Sequence, residues 1–172
     1  QAMARFYPAA AQGEKKAYAS AAWTFLLAML IGFMVVVQLF APALWVLILG
    51  DLGFLPAFRL ALVLMALNCL FYFFQNQCRW EFHTAEYVLI SLLFSFLSLA
   101  LSLGLGVIID PPLVGVILGQ VLGAAVAVGL GAFGLRRSFH LRLDKDKLGE
   151  LLRFSLPLVP ASLGLFLSVY VS

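Results

Sequence analysis

The feature that most constrains this chain is the alternation of unbroken apolar runs with connections that either carry or lack basic residues. Complete runs lie at about 21–41, 54–74, 87–109 and 113–135, and a further one begins near 154. Ten of the eleven Lys and Arg residues fall in every second connection. Arg5, Lys15 and Lys16 precede the first run, Arg79 follows the second, and Arg136, Arg137, Arg142, Lys145, Lys147 and Arg153 follow the fourth. The other two connections hold Asp51 and Asp110 and no basic residue. A run of about 20 residues at about 1.5 Å per residue crosses a hydrocarbon core of about 30 Å. A barrel would instead show strands of about ten residues with alternating polarity. The expectation is an all-α, polytopic transmembrane helical bundle. Basic residues are retained on the cytoplasmic side. Residue 1, 75–86 and 136–153 are therefore expected inside, and 47–53 and 110–112 outside, in a multi-pass protein of a bacterial cytoplasmic (inner) membrane.

Composition excludes a soluble domain. The chain is 64% hydrophobic and 11% charged, with mean hydropathy +1.06, against about 45–50% and about 25% in soluble proteins. The net charge of +3 follows from topology and from attraction to anionic head groups, and does not imply nucleic acid. Cys69 and Cys78 lie at different depths and do not read as a disulfide pair. His83 and His140 fall in connections as solvated residues, and no Cys/His cluster suggests a metal. No nucleophile elbow, phosphate loop, HExxH motif or loop carboxylate pair is present, so neither an enzyme nor a cofactor is expected. The chain starts at Gln1 and stops in LGLFLSVYVS, so it reads as the middle of a longer protein whose missing helices would be its partners.

The expected organisation is a cytoplasmic connection over 1–20, four transmembrane helices over 21–135, a basic cytoplasmic loop with a surface helix over 136–153, and the start of a fifth span over 154–172. Pro42 is expected to interrupt the first span and leave an irregular turn at the outer surface. Leu148, Leu151 and Leu152 share one side of a short helix expected on the membrane surface. Pro157 and Pro160 would loosen the fifth span's first turns.

Within the spans a few residues carry possible chemistry. Arg59 lies shallow in the second span. It either snorkels to the head groups or faces a cavity, where its planar fork suits a phosphate. Gln38, Asn68 and Gln120 are neutral polar residues that either bond across helices or line a cavity; interhelical hydrogen bonds average only about 0.6 kcal/mol, so packing alone accounts for them. Ser91, Ser95, Ser98 and Ser102 recur on one helical face. Gly115, Gly119, Gly123, Ala127 and Gly131 recur every four residues as a small-residue ridge that admits another backbone. No Asp or Glu lies deep in a complete span, where a proton or sodium relay usually keeps one.

Three stretches, RFYPAAAQGEKKAYASAAWTFLL, GVILGQVLGA and LGELLRFSLPLVPASLGLFLS, carry a resemblance to the polysaccharide-biosynthesis or O-antigen flippases of the multidrug/oligosaccharidyl-lipid/polysaccharide exporter superfamily. They resemble the connection into that family's third helix, its sixth helix and the start of its seventh; the span order agrees with helices three to seven. The resemblance implies a two-bundle, alternating-access carrier for a polyprenyl-pyrophosphate-linked glycan, with Arg59 meeting pyrophosphate and Arg79 meeting lipid head groups. A multidrug or peptidoglycan-precursor exporter of the same superfamily is the alternative. A membrane-embedded glycosyltransferase or polymerase would need a large outer loop, and a membrane scaffold would move nothing.

Overall fold

Helix boundaries in the computed structural model follow the backbone chemistry of a few residues. The structure describes residues 2–49, 54–136, 144–160 and 164. The helices are α1 (Ala2–Ala9), α2 (Gln12–Leu49), α3 (Leu55–Trp80), α4 (Thr84–Ile108), α5 (Pro112–Gly134) and α6 (Lys145–Ser155). Pro56 and Pro112 sit in the first turns of α3 and α5, where a missing N–H costs nothing. The α3 helix ends in a Schellman turn. The Phe82 amide donates to the Arg79 carbonyl at 3.3 Å and the His83 amide to the Cys78 carbonyl at 2.9 Å. Phe82 supplies the left-handed residue such a turn needs, at φ 59°.

The four helices α2 to α5 are long and apolar enough to cross a membrane, which makes this a multi-pass membrane protein by length and composition. Many large apolar side chains are exposed, among them Leu39, Leu47, Phe96 and Val107. In water such a surface would drive association, but lipid tails are as apolar as leucine.

Three helix limits differ from the sequence expectation. The connection expected over 1–20 is largely helical, as α1 and the start of α2. Pro42 lies inside α2, which runs on to Leu49. An interior proline costs about 3 kcal/mol in water, but backbone groups in lipid must bond internally, and this favours resuming the helix. Gln75, Asn76 and Gln77 belong to α3 rather than to a loop. Gln77 donates to Glu81 at 2.6 Å and Gln75 to Ser91 at 2.8 Å, so these two side-chain amides are used without leaving the helix, while the buried Gln77 Oε1 has no partner among the described residues. The expected turn at 50–53, the basic segment 137–143 with His140, and the fifth span at 161–163 and 165–172 lie outside the described residues.

The chain divides into two compact units, 29–136 and the pair 1–28 with 137–172. In the first, α5 is the common neighbour of α4 and α3, while α3 and α4 touch each other far less. The small-residue ridge explains this. Each four-residue step on a helix with about 3.6 residues per turn rotates by about 40°, so the ridge winds around α5. Gly115, Gly119 and Gly123 lie against Leu105, Leu101–Ser102 and Ser98 of α4, whereas Gly131 lies against the Phe74 ring of α3. One spacing therefore serves two partners.

In the unit formed by 1–28 and 137–172, α6 is capped by Asp144, whose Oδ1 accepts from the amides of Asp146 at 3.1 Å and Lys147 at 3.2 Å. Leu151 is buried; Leu148 and Leu152 are half-buried. The helix α6 packs with α1, so the helix expected on the membrane surface has a protein partner. Phe6 stacks on Tyr18 at 6.1 Å and meets Phe154 edge-on at 5.6 Å, with the Arg5 guanidinium 4.8 Å from the Phe154 ring centroid.

Candidate functional site

The middle of α3, α4 and α5 leaves a cavity of about 270 Å³. Its lining is Leu64 and Asn68 from α3, Phe94, Ser98, Leu99 and Ser102 from α4, and Gln120 from α5. The close approach at Gly119 and Gly123 brings Ser102 and Ser98 against α5, and Gln120 follows directly from Gly119. Ser102 is buried and its hydroxyl donates to the Val116 carbonyl at 3.0 Å. The Ser98 hydroxyl is buried and has no hydrogen-bond partner among the described residues. The lining is mostly apolar, with two side-chain amides and two hydroxyls that both donate and accept. Such a surface suits a neutral polar group, whose hydroxyls can trade water for amide partners.

The serine stripe does not act as one face. Ser98 and Ser102 reach the cavity, Ser91 bonds to Gln75 and to the Tyr87 carbonyl at 2.7 Å, and Ser95 is exposed. At about 100° per residue the four fall within about 60°, with Ser95 and Ser98 at the two edges.

The structure brings Asn68 and Gln120 together and separates them from the other candidates. Gln38 donates to the Arg59 carbonyl at 3.2 Å. Arg59 and Arg79 are both exposed, near opposite ends of α3. Twenty residues of helix place them about 30 Å apart, and Asn68 about 13 Å along the axis from Arg59. The two arginines therefore cannot share one ligand group, and neither lines the cavity. The ridge residues Gly115, Gly119, Gly123, Ala127 and Gly131 are all buried at helix contacts.

A second polar arrangement was not foreseen from sequence. The Lys147 ammonium donates to Glu14 at 2.9 Å and to the Tyr18 hydroxyl at 3.4 Å, and stands 4.7 Å from the Tyr18 ring centroid; Tyr18 in turn donates to Glu150. The hydrogen bond to Glu14, then that to Tyr18, holds the ammonium above the usual lysine range. These residues are more than 125 positions apart, and no local pattern pairs them. The one available signal is the charge mixture itself, GEKK in the start of α2 and DKDKLGE at the start of α6. No family model, no curated protein and no solved structure matches this chain.

Proposed function

We propose that this chain forms part of a carrier that moves a polyprenyl-pyrophosphate-linked oligosaccharide across the cytoplasmic membrane by alternating access, with residue 1 on the cytoplasmic side. The observation that carries the reading is the group of neutral polar side chains, Asn68, Ser98, Ser102 and Gln120, gathered at a mostly apolar cavity midway along helices long and apolar enough to cross a membrane. A glycan crossing a bilayer must exchange water for amide and hydroxyl partners, because an unmatched polar group in hydrocarbon costs several kcal/mol. The three stretches that resemble the polysaccharide flippases support the same reading. The small-residue face of α5 supplies a seam along which helices can slide, as alternation between inward and outward states needs. Arg59, at one end of α3, is the group for the pyrophosphate.

The test uses the full-length natural protein in proteoliposomes with a fluorescent polyprenyl-pyrophosphate oligosaccharide. The expected result is transbilayer movement above protein-free liposomes, reduced several-fold by Asn68→Leu with Gln120→Leu. No movement by folded protein, with a suitable glycan and ion gradient, overturns the reading. Undiminished movement in the double variant removes the cavity from it.

A further inference from the structure

The four polar side chains at the cavity of α3, α4 and α5 divide into two kinds. The serines are committed to the helix seam. The Ser102 hydroxyl donates to the Val116 carbonyl, and the buried Ser98 Oγ lies against Gly123. The amides are uncommitted. Asn68 of α3 and Gln120 of α5 are half-buried and make no hydrogen bond among the described residues. Each has two N–H donors and a carbonyl acceptor. Unmatched amides are strongly disfavoured in hydrocarbon, so a lipid tail does not suit this site. The surroundings are also without charge. Among the described helices that can span a membrane, α2 has no charged residue beyond Lys16, α3 none between Arg59 and Arg79, α4 none beyond Glu86, and α5 none. Along α3, Arg59 is the nearer arginine to Asn68, about 13 Å away on the axis. The volume of about 270 Å³ falls just below the roughly 300–1,000 Å³ of small-molecule pockets, which is room for one ring rather than for a chain of sugars. Phe94, on the lining, is stacked on the buried Phe71 at 4.3 Å and adds an aromatic surface for C–H groups.

We infer, resting on the carrier reading above, that this cavity is a subsite for one uncharged sugar ring, read by the amides of Asn68 and Gln120 and closed to uronic acids. A sugar hydroxyl donates and accepts, as a primary amide does, so the two match in either sense. A carboxylate only accepts, and here it would leave water without a counter-charge.

The test uses the purified full-length natural protein in nanodiscs at neutral pH, titrated with methyl N-acetylglucosaminide and with methyl glucuronide and followed by saturation-transfer NMR. The neutral glycoside is expected to bind, and the glucuronide at least about tenfold more weakly. Asn68→Leu with Gln120→Leu should abolish binding of the neutral probe. Gln120→Lys supplies a counter-charge and should raise glucuronide binding at least to that of the neutral probe. Equal binding of the two probes by the unaltered protein, tighter binding of the glucuronide, or binding of neither overturns the proposal, and this comparison needs no variant to fold. Neutral binding unchanged in the double variant, or no gain of glucuronide binding by folded Gln120→Lys protein, overturns it as well. The transport assay separates the two readings. Movement of the lipid-linked oligosaccharide with equal binding of the probes leaves the carrier and removes the selective subsite, whereas discrimination between the probes without movement keeps the subsite and removes the carrier.

Discussion

The 29–136 unit and the unit of 1–28 with 137–172 hold their helices by opposite means. In the first, α4 and α5 approach until backbone meets backbone, and the residues that allow it are those with least side chain. In the second, contact is made through side-chain tips: a lysine between two acids, a tyrosine hydroxyl, and an arginine over phenylalanine. The difference follows from solvent. In lipid, burying apolar surface gains nothing, so association depends on close van der Waals contact and on small residues. At the aqueous boundary charged groups remain hydrated, and an exposed ion pair contributes little. The first arrangement should therefore be intolerant of added volume and indifferent to salt, and the second the reverse.

The largest effect is expected at Gly115. A Cβ there falls on the Leu105 carbonyl group of α4, which is backbone and cannot turn aside. Gly115→Leu should cost more than about 3 kcal/mol, at the upper end of overpacking penalties, read as loss of cooperative unfolding in detergent. Next comes a gain. Phe82 is 86% exposed and holds a left-handed conformation, so it contributes strain without packing. Phe82→Gly should stabilise by about 1 kcal/mol, and an unchanged denaturation midpoint would contradict the Schellman turn. Ser102→Ala should cost about 0.6 kcal/mol, the average for a hydrogen bond between membrane helices, measured by the same denaturation.

The smallest effect belongs to the ionic contact of α6. Its hydrogen bond with Lys147, more than their charge attraction, holds the Glu14 carboxyl below its ordinary value of 4.5. A lowered carboxyl contributes stability above that value and loses it as pH falls through the folded-state pKa. Lys147 is raised, so its share is present below the ordinary lysine value of 10.5 and lost only at higher pH. Spin labels at Ala9→Cys and Leu156→Cys, with Cys69 and Cys78 replaced by serine, should show a distance that broadens below about pH 4.5 and in high salt. Lys147→Met should abolish that dependence.

Much of the first unit is legible in sequence, because hydropathy over 20 residues marks spans and glycine every four residues marks a seam. The rotation of that seam from α4 to α3 also follows from helix geometry, but its partners do not. Nothing in the residues around Gly131 names Phe74. Helix ends are less legible. Gln75 to Gln77 read as loop because they are polar, yet they are helical, and Gln75 and Gln77 bond to Ser91 and Glu81. Phe82 hides a turn that a glycine would have announced. Of the candidate site, Asn68 and Gln120 could be picked out as polar residues in apolar spans, but their convergence with Ser98 and Ser102 depends on packing. Arg59 carried most weight in the sequence, and lies about 13 Å along α3 from the cavity's asparagine.

The most direct test of the seam compares one substitution at two glycines of α5. Gly119 and Gly129 share a helix and a residue type, but a Cβ at Gly119 falls on Leu101 and Ser102, whereas at Gly129 it meets no atom within 4 Å. Unfolding of Gly119→Leu and Gly129→Leu in detergent should give a severe loss for the first. The second should show no loss, or a gain of about 1 kcal/mol from leucine's better helix propensity. Equal destabilisation by the two variants, or a tolerated Gly119→Leu, would contradict the packing of α4 on the glycine face of α5.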